Sequence, residues 1–154
     1  MKIKVIFSDI DGTLTDGRLY YGPGGEALKV FHVKDGLAIK RWMNSGRRFG
    51  VISARSSEIN RVRMRELGVE DIILGSEEKQ VLLDEWLKRE GYSWEELGYI
   101  GDDLNDLPVI RRAGASAAPF DAAKEVVEAV GFHCISPGGQ GAFREWVDFL
   151  LDQP

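Results

Sequence analysis

One cysteine, Cys134, is all the thiol this sequence holds, so an internal disulfide is excluded and a reducing, cytoplasmic setting is expected. It lies in the apolar run Phe132-His133-Cys134-Ile135 and reads as a buried structural thiol. Histidine is nearly as scarce. His32 and His133 have no partner at metal-ligand spacing, so no zinc site is assigned. No apolar stretch approaches transmembrane length, and no membrane partner is expected. The opening run to Phe7 is too short for a signal peptide, and Asp9 breaks it. Excess positive charge is also missing. A net charge of -5 argues against a nucleic-acid backbone as partner.

What is present is an ordinary globular balance, 44% hydrophobic and 29% charged, which speaks against disorder. The 154 residues suit one domain, 1–154, with one core. Short apolar runs bounded by Gly, Asp or Ser read as strands: Ile3 to Ser8, Phe49 to Ser53, Asp71 to Leu74, Gly98 to Gly101 and Ala115 to Ala118. Helical patterns fall between them. Asp35 is the expected N-cap of a helix burying Ile39, Trp42 and Met43 and stopping near Gly46. Ile59, Val62 and Leu67 line the next helix. Leu82 and Trp86, with Leu83 and Leu87 beside them, line a third. Ser93 and Glu96 have capping-box spacing. Phe143, Trp146, Val147, Leu150 and Leu151 define the last amphipathic face. The alternation predicts an α/β fold: a Rossmann-like parallel sheet with helices on both faces and ligands beyond the carboxyl ends of its strands. One segment breaks the pattern. Residues 19–33, turning at Gly22-Pro23-Gly24-Gly25, read as a β-hairpin flap over those strand ends.

Carboxylates cluster where two strands should end. Asp9 and Asp11 follow the first strand, and Gly12 lets the chain turn away. Two acids so placed repel each other unless a cation lies near. One carboxylate can attack phosphorus, and the other can protonate the leaving alkoxide. The plain alternative is that they cap a turn and face water. Asp102, Asp103 and Asp106 follow another strand and make an oxygen-rich site of the kind Mg2+ prefers, or else cap a helix. Together at one sheet edge, the two clusters favour a metal site. Ser53, with the backbone N–H groups after it, can donate to a phosphoryl oxygen. Lys79, at a helix start, can offset phosphate charge, though a lysine there is ordinarily solvated.

The order Asp-x-Asp, Ser, Lys, Gly-Asp-Asp-x-x-Asp resembles the haloacid dehalogenase superfamily over nearly the whole chain. The resemblance implies Asp9 as nucleophile, Asp11 as general acid and base, and Ser53, Ala54 and Lys79 around the phosphoryl group. It implies Mg2+ on the Asp9 carboxylate, the Asp11 carbonyl and the Asp102 carboxylate, with Asp103 and Asp106 in support. More narrowly, Asp11 to Gly17, the hairpin, Phe31 to Gly36, Gly75 to Lys79 and Gly138 to Glu145 look like the 3-deoxy-D-manno-octulosonate 8-phosphate phosphatases, which lack a cap domain. Only 41 residues separate Asp11 from Ser53, and 25 separate Ser53 from Lys79, so no cap fits in either gap. The resemblance further implies a homotetramer in which a neighbour closes each site. The segment 137–144 reads as a mobile tail reaching toward a site, or as an ordinary loop before the last helix. Arg55, Arg63 and Arg144 are candidates for binding the carboxylate of a sugar-acid phosphate.

The chain departs from the family at two places. Ala54 stands where Gly is frequent, and Glu78 where Asp often precedes the lysine. Phosphatases of sialic-acid-type 9-phosphates are the close alternative, and Arg55 argues for the octulosonate ester. A phosphoacceptor signalling module is the rival of a different class. Its acceptor would follow the third strand, where this sequence offers no obvious one. A non-catalytic interaction domain would have no use for the full set of carboxylates with Ser53 and Lys79.

Overall fold

The computed structural model describes residues 2–154. Six parallel strands form the central sheet: β1 (Val5–Ser8), β4 (Arg48–Ser53), β5 (Asp71–Leu74), β6 (Leu97–Ile100), β7 (Ala115–Ala118) and β8 (Phe132–His133). Their order is β5-β4-β1-β6-β7-β8. From β1 the chain moves outward one way to β5, then returns to the other side of β1 at β6. The order therefore reverses beside β1, which is where open α/β sheets place ligands. Register brings the strand ends level: Ser8 lies opposite Val51 and Ile100, and Ser53 opposite Leu74.

The alternation along β1 explains the two layers. Ile6 faces a core built with α1 (Val33–Asn44), α2 (Glu58–Glu66) and α6 (Ala142–Leu151), through Ile39, Trp42, Met64, Phe143, Trp146 and Val147. Val5 and Phe7 face the opposite core, built with α3 (Lys79–Glu90), α4 (Leu107–Ile110) and α5 (Lys124–Ala129), through Leu83, Trp86, Val109 and Val126. With apolar contacts on both faces, the strands need no polar alternation. On α6 the large buried side chains are Phe143, Trp146, Val147 and Leu150, with Phe, Val and Leu each contributing about 1.5–3 kcal/mol by burial. Phe143 meets Phe49 of β4 edge-on at 5.3 Å.

Several sequence expectations are corrected. β8 is a strand that the sequence did not suggest. The cap of α1 is His32, whose Nδ1 accepts from the Lys34 N–H at 3.1 Å. Asp35 lies inside the first turn of α1, and its Oδ1 accepts the backbone N–H of Arg144 at 3.0 Å, at the start of α6. α2 buries Asn60 and Met64 and leaves Val62 57% exposed. The hairpin is shorter than expected: β2 (Tyr20–Gly22) pairs antiparallel with β3 (Gly25–Leu28), and Val33 already starts α1. Capping-box bonds at Ser93 and Glu96 are present.

Candidate active site

The residue after β1 is Asp9. Its backbone N–H donates to the carbonyl of Ile100 on β6 at 3.0 Å, so the main chain fixes it to the neighbouring strand. Asp9 is 7% exposed. Beyond it the chain turns tightly, with the N–H groups of Thr13, Leu14 and Thr15 all donating to the carbonyl of Ile10. Gly12 has φ +88°, and a Cβ there would lie 1.9 Å from Asp102 Oδ2. Only glycine lets the Asp102 carboxylate rest against this turn.

Lys79, the first residue of α3, is fully buried. Its Nζ lies 2.9 Å from Asp9 Oδ1 and 2.8 Å from Asp106 Oδ1. Asp106 Oδ1 also accepts from the Tyr99 hydroxyl at 2.5 Å. Its Oδ2 accepts the N–H groups of Asp102 at 3.0 Å and Asp103 at 3.2 Å. Asp106 is thus saturated by four donors and clamps Lys79 and the loop after β6. Asp103 caps the 3-10 turn at Leu104–Asp106 through the Leu104 N–H at 2.8 Å. It is Asp106, not Asp103, that meets Lys79.

Carboxylate oxygens of Asp9, Asp102 and Asp106 all lie within 4.8 Å of one another. Burial, then the Asp106 carboxylate, pushes Asp9 above the ordinary carboxylate range, against the pull of Lys79. Burial, followed by Asp9 and then Asp106, pushes Asp102 up as well. Desolvation works against the Lys79 charge, yet Asp9 and Asp106 outweigh it and hold the ammonium above its usual range. One lysine does not offset three crowded acids. A hard divalent cation between Asp9 and Asp102 would, and an all-oxygen donor set suits it. With Asp106 already saturated, the donors left to hold such an ion are Asp9 and Asp102.

These groups open into a cavity of about 170 Å3 lined by Asp9, Asp11, Ser53, Ala54, Arg55, Asp102, Asp103 and Asn105. Ser53, at the end of β4, accepts the Arg55 N–H on its hydroxyl at 3.3 Å. Tyr21 of the hairpin and Lys29, just after it, contact two of these lining residues. Arg55 Nη2 donates to the Tyr21 hydroxyl at 3.1 Å, and Lys29 Nζ lies 2.7 Å from Asp11 Oδ1.

Comparison with known proteins agrees with this geometry. The chain is 44% identical over 149 residues to the 3-deoxy-D-manno-octulosonate 8-phosphate phosphatase of Haemophilus influenzae, covering 97% of this chain and 83% of that protein. The chain belongs to the 3-deoxy-D-manno-octulosonate 8-phosphate phosphatase family. Among solved structures, the family's enzyme from Moraxella catarrhalis, in complex with magnesium, phosphate and KDO, superposes with a TM-score of 0.94 at 34% identity, covering 97% of this chain and 86% of that one. A putative haloacid dehalogenase superfamily hydrolase from Legionella pneumophila gives 0.95 at 36%, covering 98% and 83%. No protein-family model matches the chain.

Two residues that the family resemblance suggested for substrate binding lie away from this cavity. Arg63, on α2, pairs with Glu66 at 2.7 Å and lines a separate hollow with Val33, Gly36 and Leu37. Arg144 is in the first turn of α6, with its Nε 2.6 Å from Asp148 Oδ2. The segment read as a mobile tail or an ordinary loop lies here against the turn after β1. Gly139 N–H donates to the Thr13 carbonyl at 3.0 Å, and residues 142–144 are helical. A Cβ on Gly138 would lie 1.9 Å from the Gly12 carbonyl oxygen. That glycine permits the close approach.

Sequence reasoning missed Lys29, Tyr21, Asn105 and Tyr99. Only Tyr99 left a signal: a hydroxyl within a buried strand needs a partner.

Proposed function

We propose that this chain is a Mg2+-dependent phosphatase of 3-deoxy-D-manno-octulosonate 8-phosphate, working through an aspartyl-phosphate on Asp9. The observation that carries the reading is the buried Lys79 held between Asp9 and Asp106, with Asp11 on the same cavity wall. Such an arrangement serves a group that gains and loses phosphoryl charge.

The Asp9 carboxylate attacks phosphorus, and the bond from phosphorus to the sugar oxygen breaks. Asp11 gives its proton to the departing oxygen. Asp11 then takes a proton from water as that water attacks the aspartyl-phosphate, releasing phosphate and restoring Asp9. Lys79 meets charge on the phosphoryl oxygens, and Ser53 and the Ala54 N–H donate to them. Asp9, the Asp11 carbonyl and Asp102 would hold Mg2+, which would supply charge neutralisation at the phosphoryl group. Arg55, which lines the cavity and donates to the Tyr21 hydroxyl, binds the substrate carboxylate.

Assembly as a homotetramer is supported by the family likeness. The exposed apolar side chains Tyr21, Leu28, Val30, Val33 and Leu37 along the hairpin and α1 fit burial by neighbours. A cytoplasmic location fits the buried free thiol of Cys134, whose pKa burial pushes up to about 12.

The test is phosphate release from a panel of sugar phosphates with and without Mg2+. Preference for the octulosonate ester, lost on chelation, supports the reading. A preference for nonulosonate 9-phosphates overturns the substrate. No metal-dependent release from any ester overturns the activity.

A further inference from the structure

Asn105 lies on the cavity wall, and the mechanism gives it no task. The other polar side chains of that wall are already engaged. Asp9 meets Lys79, Asp11 meets Lys29, and Arg55 donates to Tyr21. Ser53 accepts the Arg55 N–H, Asp102 accepts from the Thr13 hydroxyl at 3.4 Å, and Asp103 accepts the Leu104 N–H. The Asn105 amide is exposed and has no hydrogen-bond partner among the described residues. Its backbone is nonetheless fixed. Asn105 is the middle residue of the 3-10 turn Leu104–Asp106, in which the Asp106 N–H donates to the Asp103 carbonyl at 2.9 Å. Asp103 caps that turn, and the wholly buried Asp106 closes it. An open amide on so rigid a support loses little backbone freedom when a ligand takes it.

Its place in the sheet decides which part of a ligand it meets. β4 and β6 flank β1 on opposite sides. Arg55 follows β4 and Asn105 follows β6, so the two reach the cavity from opposite sides of Asp9. Their strands are two spacings apart, about 10 Å, which is wider than a phosphoryl group. The phosphoryl group belongs deeper, against Asp9 and Lys79, which are 7% and 1% exposed. Level with Asn105 is therefore the part of the ester beyond the bridging oxygen. An amide offers an acceptor oxygen and two N–H donors, which suits hydroxyl groups that both donate and accept. It carries no charge to compete with Arg55 for a carboxylate. We propose that Asn105 is a specificity-determining residue, hydrogen-bonded to hydroxyl groups of the sugar chain while Arg55 holds the carboxylate. The ligand class is a phosphate ester of a polyhydroxy acid, and the proposal rests on the phosphatase reading of this cavity.

The experiment measures kcat/KM with Mg2+ for the octulosonate ester and for 4-nitrophenyl phosphate, which has no hydroxyl chain, in wild type, Asn105→Ala and Asn105→Leu. The ratio of the two within one preparation is independent of the fraction of folded protein. Leucine keeps much of the size of asparagine and removes its hydrogen bonding. Both variants are expected to lower the ratio about three- to tenfold, the range of one net hydrogen bond between neutral groups. A wild-type ratio in either variant overturns the proposal and leaves the phosphatase standing. If both esters fall equally, Asn105 serves the phosphoryl group instead; if neither falls, it serves neither part. Wild type without Mg2+-dependent release from either ester overturns the phosphatase reading and the proposal with it.

Discussion

Lys79 Nζ and Asp9 Oδ1 are 2.9 Å apart, both almost wholly removed from water, across 70 residues of sequence. A buried ion pair is a poor source of net stability, since desolvation offsets its attraction. Its use here lies in placing a cation beside the nucleophile before substrate arrives. Lys79→Met is expected to lower kcat about 10²–10³-fold, the loss typical of one charge-stabilising donor. It also strands Asp9 and Asp106, so urea unfolding should show about 3–5 kcal/mol less stability. A variant with near-normal kcat would remove Lys79 from the phosphoryl site.

Stability should fall as pH rises in the metal-free protein. Asp9 and Asp102 have folded-state values raised above the ordinary carboxylate value of 3.8, so the folded chain binds protons more tightly than the unfolded one. The slope of unfolding free energy with pH is then negative from that value up through the raised ones. Mg2+ competes for the same oxygens and binds more tightly as they ionise. Thermal melts against pH, with EDTA and with Mg2+, should diverge as pH increases. Asp35 is also raised, chiefly by burial, but it lies in α1 against the start of α6, apart from the metal site, and contributes equally to both curves. Parallel curves would contradict the assignment of Asp9 and Asp102 to the metal.

Gly138→Ala tests the docking of the segment before α6 on the catalytic turn. Its Cβ would meet the Gly12 carbonyl oxygen at 1.9 Å and the Thr15 carbonyl oxygen at 3.1 Å, both backbone atoms with little freedom to yield. Overpacking of this kind is expected to destabilise by about 1–3 kcal/mol in urea. Mg2+ affinity should fall too, because Gly12 abuts Asp102. Unchanged stability and affinity would show that the segment is free to move away.

The sheet and the acid clusters were legible because each breaks a simple rule. Strands covered on both faces read as continuous apolar runs, and carboxylates at their ends stand out against them. Lys29 left no such trace. It meets Asp11 only because the hairpin folds back, and a spacing of 18 residues carries no periodicity that predicts it. The face of α2 was misread for a related reason. Tertiary packing chose Asn60 and Met64 over Val62, in a helix whose many charged residues blur its apolar stripe. Asp35 has the composition of a cap, and it serves the start of α6 from within α1. Gly138 and Gly139, read in sequence as part of a tail, are points of close approach to the turn after β1.

The most direct test of the account is a rapid acid quench of wild type and Asp9→Asn turning over the octulosonate ester with Mg2+, followed by mass spectrometry of the peptides. The account predicts one phosphoryl group on the wild-type peptide carrying Asp9 and none on Asp9→Asn, which should also release no phosphate. Phosphate release from wild type without label on Asp9 at any quench time, together with sustained release by Asp9→Asn, would contradict it.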